Sequence, residues 1–159
     1  MLAVGLVVLG SAAASAGPLP PGGVTADEVA LVMKARGLPV TVGKDGVGDP
    51  NIKSKFNELN FEVIFYDCSG ARCKAIQFSR GFDTDEGVTL EKLNEWNRDF
   101  RFGRAFRDNE NDPYVQMDVD VELGATIESV GSNLQTWLGV MEAFAQTLDW
   151  GGDVDKPEV

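Results

Sequence analysis

Residues 61–78 read FEVIFYDCSGARCKAIQF, and their pattern is the clearest indication of secondary structure in the chain. Large apolar residues occupy every second position on both sides of a central Ser-Gly-Ala turn, at Phe61, Val63, Phe65, Ile76 and Phe78. A period of two is the pattern of a β-strand that buries one face. The stretch therefore predicts two antiparallel strands joined by a short turn.

The same stretch holds both cysteines of the chain, Cys68 and Cys73. Opposed Cα atoms in an antiparallel pair lie about 4.5 to 5.5 Å apart, which a disulfide can bridge. A redox-active pair usually has the closer C-x-x-C spacing, and a zinc site needs further Cys or His ligands, which the chain lacks. We therefore predict a structural Cys68–Cys73 disulfide, which indicates an oxidising compartment.

The remaining sequence predicts three helices and further strands around this hairpin. Thr25 and Glu28 form a capping box for a helix over about residues 26–36. Strands at 40–42 and 51–56 flank a glycine-rich turn, and a hairpin is predicted from 104–107 and 114–123, the last with its apolar face ending at Leu123. A helix capped by Thr89 is predicted to run to Gly103, and another, capped by Thr126, to 148. The order αββββαββα indicates an α+β domain in which three helices pack on an antiparallel sheet of about five to six strands.

The N-terminal residues have the features of a secretory signal. An apolar run at residues 2–9 is followed by Ala14-Ser15-Ala16, which predicts a signal peptide over 1–16 with cleavage after Ala16. No basic residue precedes the run, and a buried N-terminal helix is the alternative. Residues 17–23, rich in Pro and Gly, predict a flexible leader; 24–149 form the domain and 150–159 a flexible acidic tail. We expect a periplasmic or secreted protein without membrane insertion after cleavage.

Composition excludes several classes of function. The formal net charge is -11, so the chain would repel nucleic acid. It contains no histidine, which removes the usual general base near neutral pH and the commonest nitrogen ligand for metals. No nucleophile or phosphate-binding motif is present. We therefore predict no catalytic residues, no cofactor and no metal.

Two acidic clusters have simpler interpretations than a cation site. Asp118, Asp120 and Glu122 alternate along a strand, as ligands of a hard cation could, but a solvated strand face explains the same spacing. Residues 108–112 resemble the start of a calcium loop, but Pro113 replaces the required glycine and Val119 the final glutamate. They are better interpreted as a turn.

A basic group interrupts the acidic sequence. Near Trp96, an arginine recurs at every third position, at Arg98, Arg101, Arg104 and Arg107. Arginine side chains at such spacing, above all the first three, could bind a ligand or a partner through carboxylates or phosphates. The alternative is that they pair with nearby acids such as Asp99 and complement a helix C-terminus. Both interpretations stay open on the sequence alone.

Three segments together resemble the YbjN domain family of bacterial proteins. They are NFEVIFYDCSGARCKAIQFSRGFD (60–83), LEKLNEWNRDFRFGRAFRD (90–108) and DPYVQMDVDVE (112–122), and the likeness runs from about Val24 to Leu148. The resemblance implies an α+β fold similar to the type III secretion chaperones, frequent dimers and binding of partner polypeptides. The family is loosely described as a regulator of sensory transduction and has no established catalytic residues.

These observations predict an exported, non-enzymatic module that binds an unidentified protein or peptide, and a homodimer is one form that such binding can take. The alternative function is a sensor of a small anionic ligand, bound through Arg98, Arg101 and Arg104 beside Trp96.

Overall fold

The computed structural model describes residues 17–151, which form three helices and six strands. The helices are α1 (Ala26–Ala35), α2 (Leu90–Asp99) and α3 (Ile127–Thr147). The strands are β1 (Val40–Lys44), β2 (Pro50–Phe56), β3 (Leu59–Ser69), β4 (Arg72–Gly81), β5 (Arg104–Arg107) and β6 (Pro113–Asp120). The order α-β-β-β-β-α-β-β-α confirms the predicted α+β fold.

All six strands lie in one antiparallel sheet with the order β1-β2-β3-β4-β6-β5. Ile52, Val63, Phe78 and Met117 lie side by side in register across four strands, and all four are buried. Trp137 of α3 stacks on Phe78 with ring centroids 5.8 Å apart. The helices therefore pack on this face of the sheet, and the core lies between them and the strands.

Helix α2 is shorter than predicted. It ends at Asp99, and Phe100 adopts an extended conformation with φ -107° and ψ 134°. The Phe100 ring stacks on Trp96 with centroids 3.7 Å apart. The predicted end at Gly103 is therefore wrong, because the chain leaves the helix at Phe100 and turns toward β5.

Strand β6 also ends earlier than predicted. The predicted strand continued to Leu123, with that side chain on the buried face, but β6 stops at Asp120 and Leu123 is 91% exposed. The Asp120 side chain accepts a hydrogen bond from the Glu122 amide (2.9 Å), which turns the chain. This turn carries Leu123 away from the core.

The leader packs on the domain, although its composition predicted a flexible segment. Leu19 is buried, and its amide donates to the Ala125 carbonyl (2.7 Å). Val24 and Cys73 exchange two backbone hydrogen bonds, of 3.0 and 2.8 Å. Val24, directly after the leader, thus pairs with β4 at Cys73, past the last paired position between β4 and β6 at Ala75.

The C-terminal boundary of the domain also differs from the prediction. Trp150, assigned to the flexible tail, packs edge-on against Phe82 with ring centroids 5.4 Å apart. The predicted signal peptide over 1–16, its cleavage after Ala16 and tail residues 152–159 lie outside the described residues.

Candidate functional site

The face of the sheet opposite the helices carries polar side chains that bond to one another across strands. Arg104 Nη2 donates to Gln116 Oε1 (2.7 Å), and Gln116 Nε2 donates to Ser79 Oγ (3.1 Å). In the neighbouring row, Gln77 Nε2 donates to Asp118 Oδ1 (2.7 Å). Because side chains alternate between the two faces of a strand, Gln77 and Ser79 lie opposite the buried Phe78. These bonds fix the positions of the side chains on the face of the sheet opposite the helices.

A cavity of about 740 Å³ lies at one end of this face, beside Tyr114. The Tyr114 ring covers Gly81 and stacks on Phe106 with centroids 5.4 Å apart. Burial, together with the nearby carboxylates of Asp108 and Asp112, raises the pKa of Tyr114. The charged residues of the lining are Lys53, Glu62, Arg80, Asp83, Asp108, Glu110 and Asp112. Five carboxylates face two cations there, so the cavity disfavours an anionic ligand.

The acids of the β5–β6 turn have structural partners. Asp108 Oδ1 accepts from the amides of Glu110 (2.8 Å) and Asp112 (3.0 Å). Asp112 Oδ1 accepts from the Thr84 amide (2.9 Å). Side chains that cap backbone amides in this way are typical of turns. The arrangement supports the turn interpretation over the calcium loop.

The three alternating carboxylates of the β6 region are also engaged separately. Asp118 accepts from Gln77, Asp120 from the Glu122 amide, and Glu122 lies 2.9 Å from Lys74 Nζ. Within residues 17–151, no three His, Cys, Asp or Glu side chains are grouped so that they could hold a metal ion.

The predicted disulfide is present in the β3–β4 hairpin. The Cys68 and Cys73 sulfur atoms are bonded at 2.10 Å, and the two residues are register partners with Cα atoms 3.9 Å apart. Cys73 is fully buried and belongs to the core cluster, against which Cys68 packs. The disulfide therefore links two strands at the point where the leader joins the sheet.

Trp96 is a residue of the hydrophobic core. Its side chain is 1% exposed, and its ring packs edge-on against Phe144 with centroids 4.9 Å apart. The sequence placed Trp96 beside an anionic pocket. The structure corrects this assignment, because the helical spacing that aligns Trp96 with Leu93 turns both side chains into the core.

The three arginines have different surroundings. Arg98 Nε donates to Asp99 Oδ1 (2.8 Å), and this pairing raises the pKa of Arg98. The Arg101 guanidinium lies over the Phe102 ring, 5.1 Å from its centroid, and that of Arg104 lies 5.4 Å from the centroid of Phe106. None of the three lines the cavity beside Tyr114. Arg98 thus follows the ion-pair interpretation, whereas Arg101 and Arg104 lie over aromatic rings.

The side chains around Arg101 and Arg104 belong to one segment, which comprises the loop between α2 and β5 and the edge strand β5. We call it the arginine–phenylalanine surface, and it consists of Phe100, Arg101, Phe102, Arg104 and Phe106. Phe100 is 42% exposed and Phe102 is 49% exposed. The predicted helix to Gly103 included Phe100 and Phe102, and the sequence pattern singled out the arginines but none of the three phenylalanines. The alternation of Arg and Phe in RDFRFGRAFR is the signal that could have indicated them.

The backbone of β5 beneath this surface is capped by Asn97. The Asn97 side chain accepts from the Ala105 amide (2.8 Å) and donates to the Ala105 carbonyl (3.0 Å). These are the two groups that an added strand would use at this position of an edge strand. The surface can therefore bind a partner through its side chains, while strand addition at Ala105 is blocked.

Comparison with known proteins identifies the family of this chain. Within residues 17–151, no helix combines the length and apolar character needed to cross a bilayer. A search of curated proteins finds no significant match to the sequence. Residues 25–150 match the model of the YbjN family, whose description reads "Putative bacterial sensory transduction regulator". This match covers most of the chain, and the protein therefore belongs to the YbjN family.

Proposed function

We propose that this protein is an exported, non-enzymatic regulatory module that binds a protein or peptide partner. The observation that carries the proposal is the arginine–phenylalanine surface. Arginine and aromatic residues are enriched at protein interfaces, and a few such residues often contribute most of the binding energy. The family's description as a regulator supports a function in binding.

The same geometry favours a partner polypeptide over a small anionic ligand. An anion sensor needs several cations directed at one pocket, whereas Arg98, Arg101 and Arg104 each contact a different side chain. A surface spread along a loop and an edge strand is better suited to a macromolecule. The resemblance to chaperone-like folds also implies a polypeptide partner, including a second copy of the chain.

Site-specific crosslinking tests partner binding. A photo-crosslinking residue at Phe102 of the mature protein should form a discrete adduct in a periplasmic extract. The matched control replaces Val47, which is exposed in the β1–β2 turn remote in sequence from the surface. An adduct with a second copy would identify a homodimer. Equal labelling from both positions, or none, would count against the proposal.

Export is tested by fractionation of cells that express the full chain. We expect periplasmic protein whose first residue is Gly17 and which has no titratable thiol before reduction, because Cys68 and Cys73 are bonded. Cytoplasmic protein with an intact Met1 and two titratable thiols would contradict both the signal peptide and the oxidising compartment.

A further inference from the structure

We propose that the arginine–phenylalanine surface binds an acidic segment of the partner polypeptide, in which carboxylates are interspersed with apolar side chains. This inference rests on the proposed function and specifies the chemistry of the partner.

Arg101 and Arg104 can bind carboxylates of a partner. Within residues 17–151, no carboxylate forms an ion pair with either of them, whereas Arg98 is paired with Asp99. Each guanidinium lies over the ring of one phenylalanine, Arg101 over Phe102 and Arg104 over Phe106. The N–H donors point outward from the rim of a guanidinium, and they match the geometry of a carboxylate. Arg104 uses one such donor on Gln116, and the others can serve a ligand.

The contacts with the aromatic rings orient the two cations in advance. An arginine in solution loses side-chain entropy when it binds, and a guanidinium already held over a ring loses less. Arg104 is fixed further by its hydrogen bond to Gln116, which in turn bonds to Ser79. The surface therefore presents two positioned donor groups on a chain whose net charge is -11.

Apolar side chains of the partner can pack on the exposed aromatic rings. The exposed portions of Phe100 and Phe102 lie beside the arginines in sequence, and burial of aromatic area is favourable. A purely acidic segment would leave these rings in water. Because Asn97 blocks strand addition at Ala105, the partner must be recognised by its side chains. Alternating acidic and apolar residues meet both requirements.

Fluorescence anisotropy of a labelled peptide tests the inference on the mature protein. The probe is a short peptide of alternating Glu and Leu, and its control has Gln in place of every Glu. We expect the Glu peptide to bind at least about tenfold more tightly, since one charge-assisted contact contributes about that factor. Arg101→Glu and Arg104→Glu should each remove most of this preference. Phe102→Ser should weaken both peptides.

The matched control is Lys34→Glu on α1, which makes the same change of charge at an exposed position outside the surface. Thermal unfolding of each variant verifies that the fold is intact. Charge reversal tests the electrostatic contribution of the arginines to peptide binding more directly than added salt does. Salt would screen the attraction between the arginines and the peptide, and also the repulsion between the peptide and a chain of net charge -11.

Three results would overturn the inference. They are equal binding of the Glu and Gln peptides, equal weakening by Lys34→Glu and Arg101→Glu, and displacement by free citrate as effective as displacement by unlabelled peptide. The last would indicate a small-anion site. A specific crosslink from position 102 together with any of these results would leave the proposed function standing and refute only the acidic partner.

Discussion

Gly103 connects the arginine–phenylalanine surface to the core. Its φ is +77°, a left-handed conformation that residues with a Cβ adopt at a cost. A Cβ built at this position would lie 2.6 Å from Val140 Cγ1 and 3.2 Å from Val115 Cγ2. The loop therefore approaches α3 and β6 so closely at this position that only glycine fits without a shift of its neighbours.

Gly103→Ala should lower the free energy of unfolding by about 2 kcal/mol, from left-handed strain and from overpacking against Val140. Gly139→Ala is the matched control, because this glycine lies in α3 and nothing is within 4 Å of an added Cβ. The control should stabilise the protein by up to about 1 kcal/mol. Urea unfolding measures both. Equal stability of the two variants would contradict this account of Gly103.

Glu28 contributes stability that depends on pH. Burial raises the pKa of its carboxyl group, but hydrogen bonds from Arg72 and from the Thr25 backbone outweigh burial and hold the pKa below its usual range. The carboxylate is thus stabilised in the folded state. Its contribution is fully present above the unfolded pKa of about 4.3 and is lost as pH falls through the folded value.

Glu28→Gln should therefore cost about 1 kcal/mol at pH 7, and the difference from wild type should shrink toward pH 3. The control is Glu62→Gln, which removes a more exposed pair with Lys53 (3.5 Å) and should change stability little. Urea unfolding across this pH range gives the comparison. A Glu28→Gln deficit that is constant with pH would show that the ion pair does not carry the effect.

Among the elements of the fold, β5 depends on a side chain from α2. Asn97→Ala would leave the Ala105 amide and carbonyl without their partner, at a cost of about 1 to 2 kcal/mol. The uncapped edge strand should also increase self-association. Asn94→Ala, on the same helix and exposed, is the control and should have little effect. Chemical unfolding and light scattering test the two consequences, and a variant as stable and monodisperse as the control would refute the capping role.

The elements could be predicted where local pattern alone determines them. Alternation identified β3 and β4, and capping residues identified the starts of α1, α2 and α3. The end of α2 could not be predicted, because it depends on the stacking of Phe100 on Trp96. Leu123 continues the sequence alternation of β6. The strand nevertheless ends before it, because the Asp120 side chain accepts a hydrogen bond from the Glu122 amide and turns the chain.

The candidate site was predicted only in part, for a related reason. Arg101 and Arg104 stand out by charge in an acidic sequence. The role of Asn97 depends on a backbone that comes near it only in the folded chain, and nothing in the local sequence indicates that contact. The exposure of Phe102 also contradicts the usual burial of phenylalanine, so it becomes visible only in the structure.

Residues that precede the family match also pack on the domain. That match begins at residue 25, but Leu19 is already buried, and the carbonyl of Gly23 accepts a hydrogen bond from Arg72. Gly23 has a φ of +86°, and an added Cβ would overlap the Cys73 carbonyl. The leader therefore passes against the backbone beside the disulfide. Cleavage after Ala16 would retain all of these contacts in the mature chain.

Removal of residues 17–23 should accordingly destabilise the domain. A chain that starts at Val24 loses the burial of Leu19 and its hydrogen bond to Ala125, and we expect a loss of about 2 to 3 kcal/mol. Leu19→Ala in the longer chain should reproduce most of this loss, while Pro18→Ala, at an exposed position, should not. Thermal and urea unfolding of the four proteins provide the test. If the chain that starts at Val24 were as stable as the one that starts at Gly17, the leader would lie on the domain without stabilising it, and the domain would begin where the family match does.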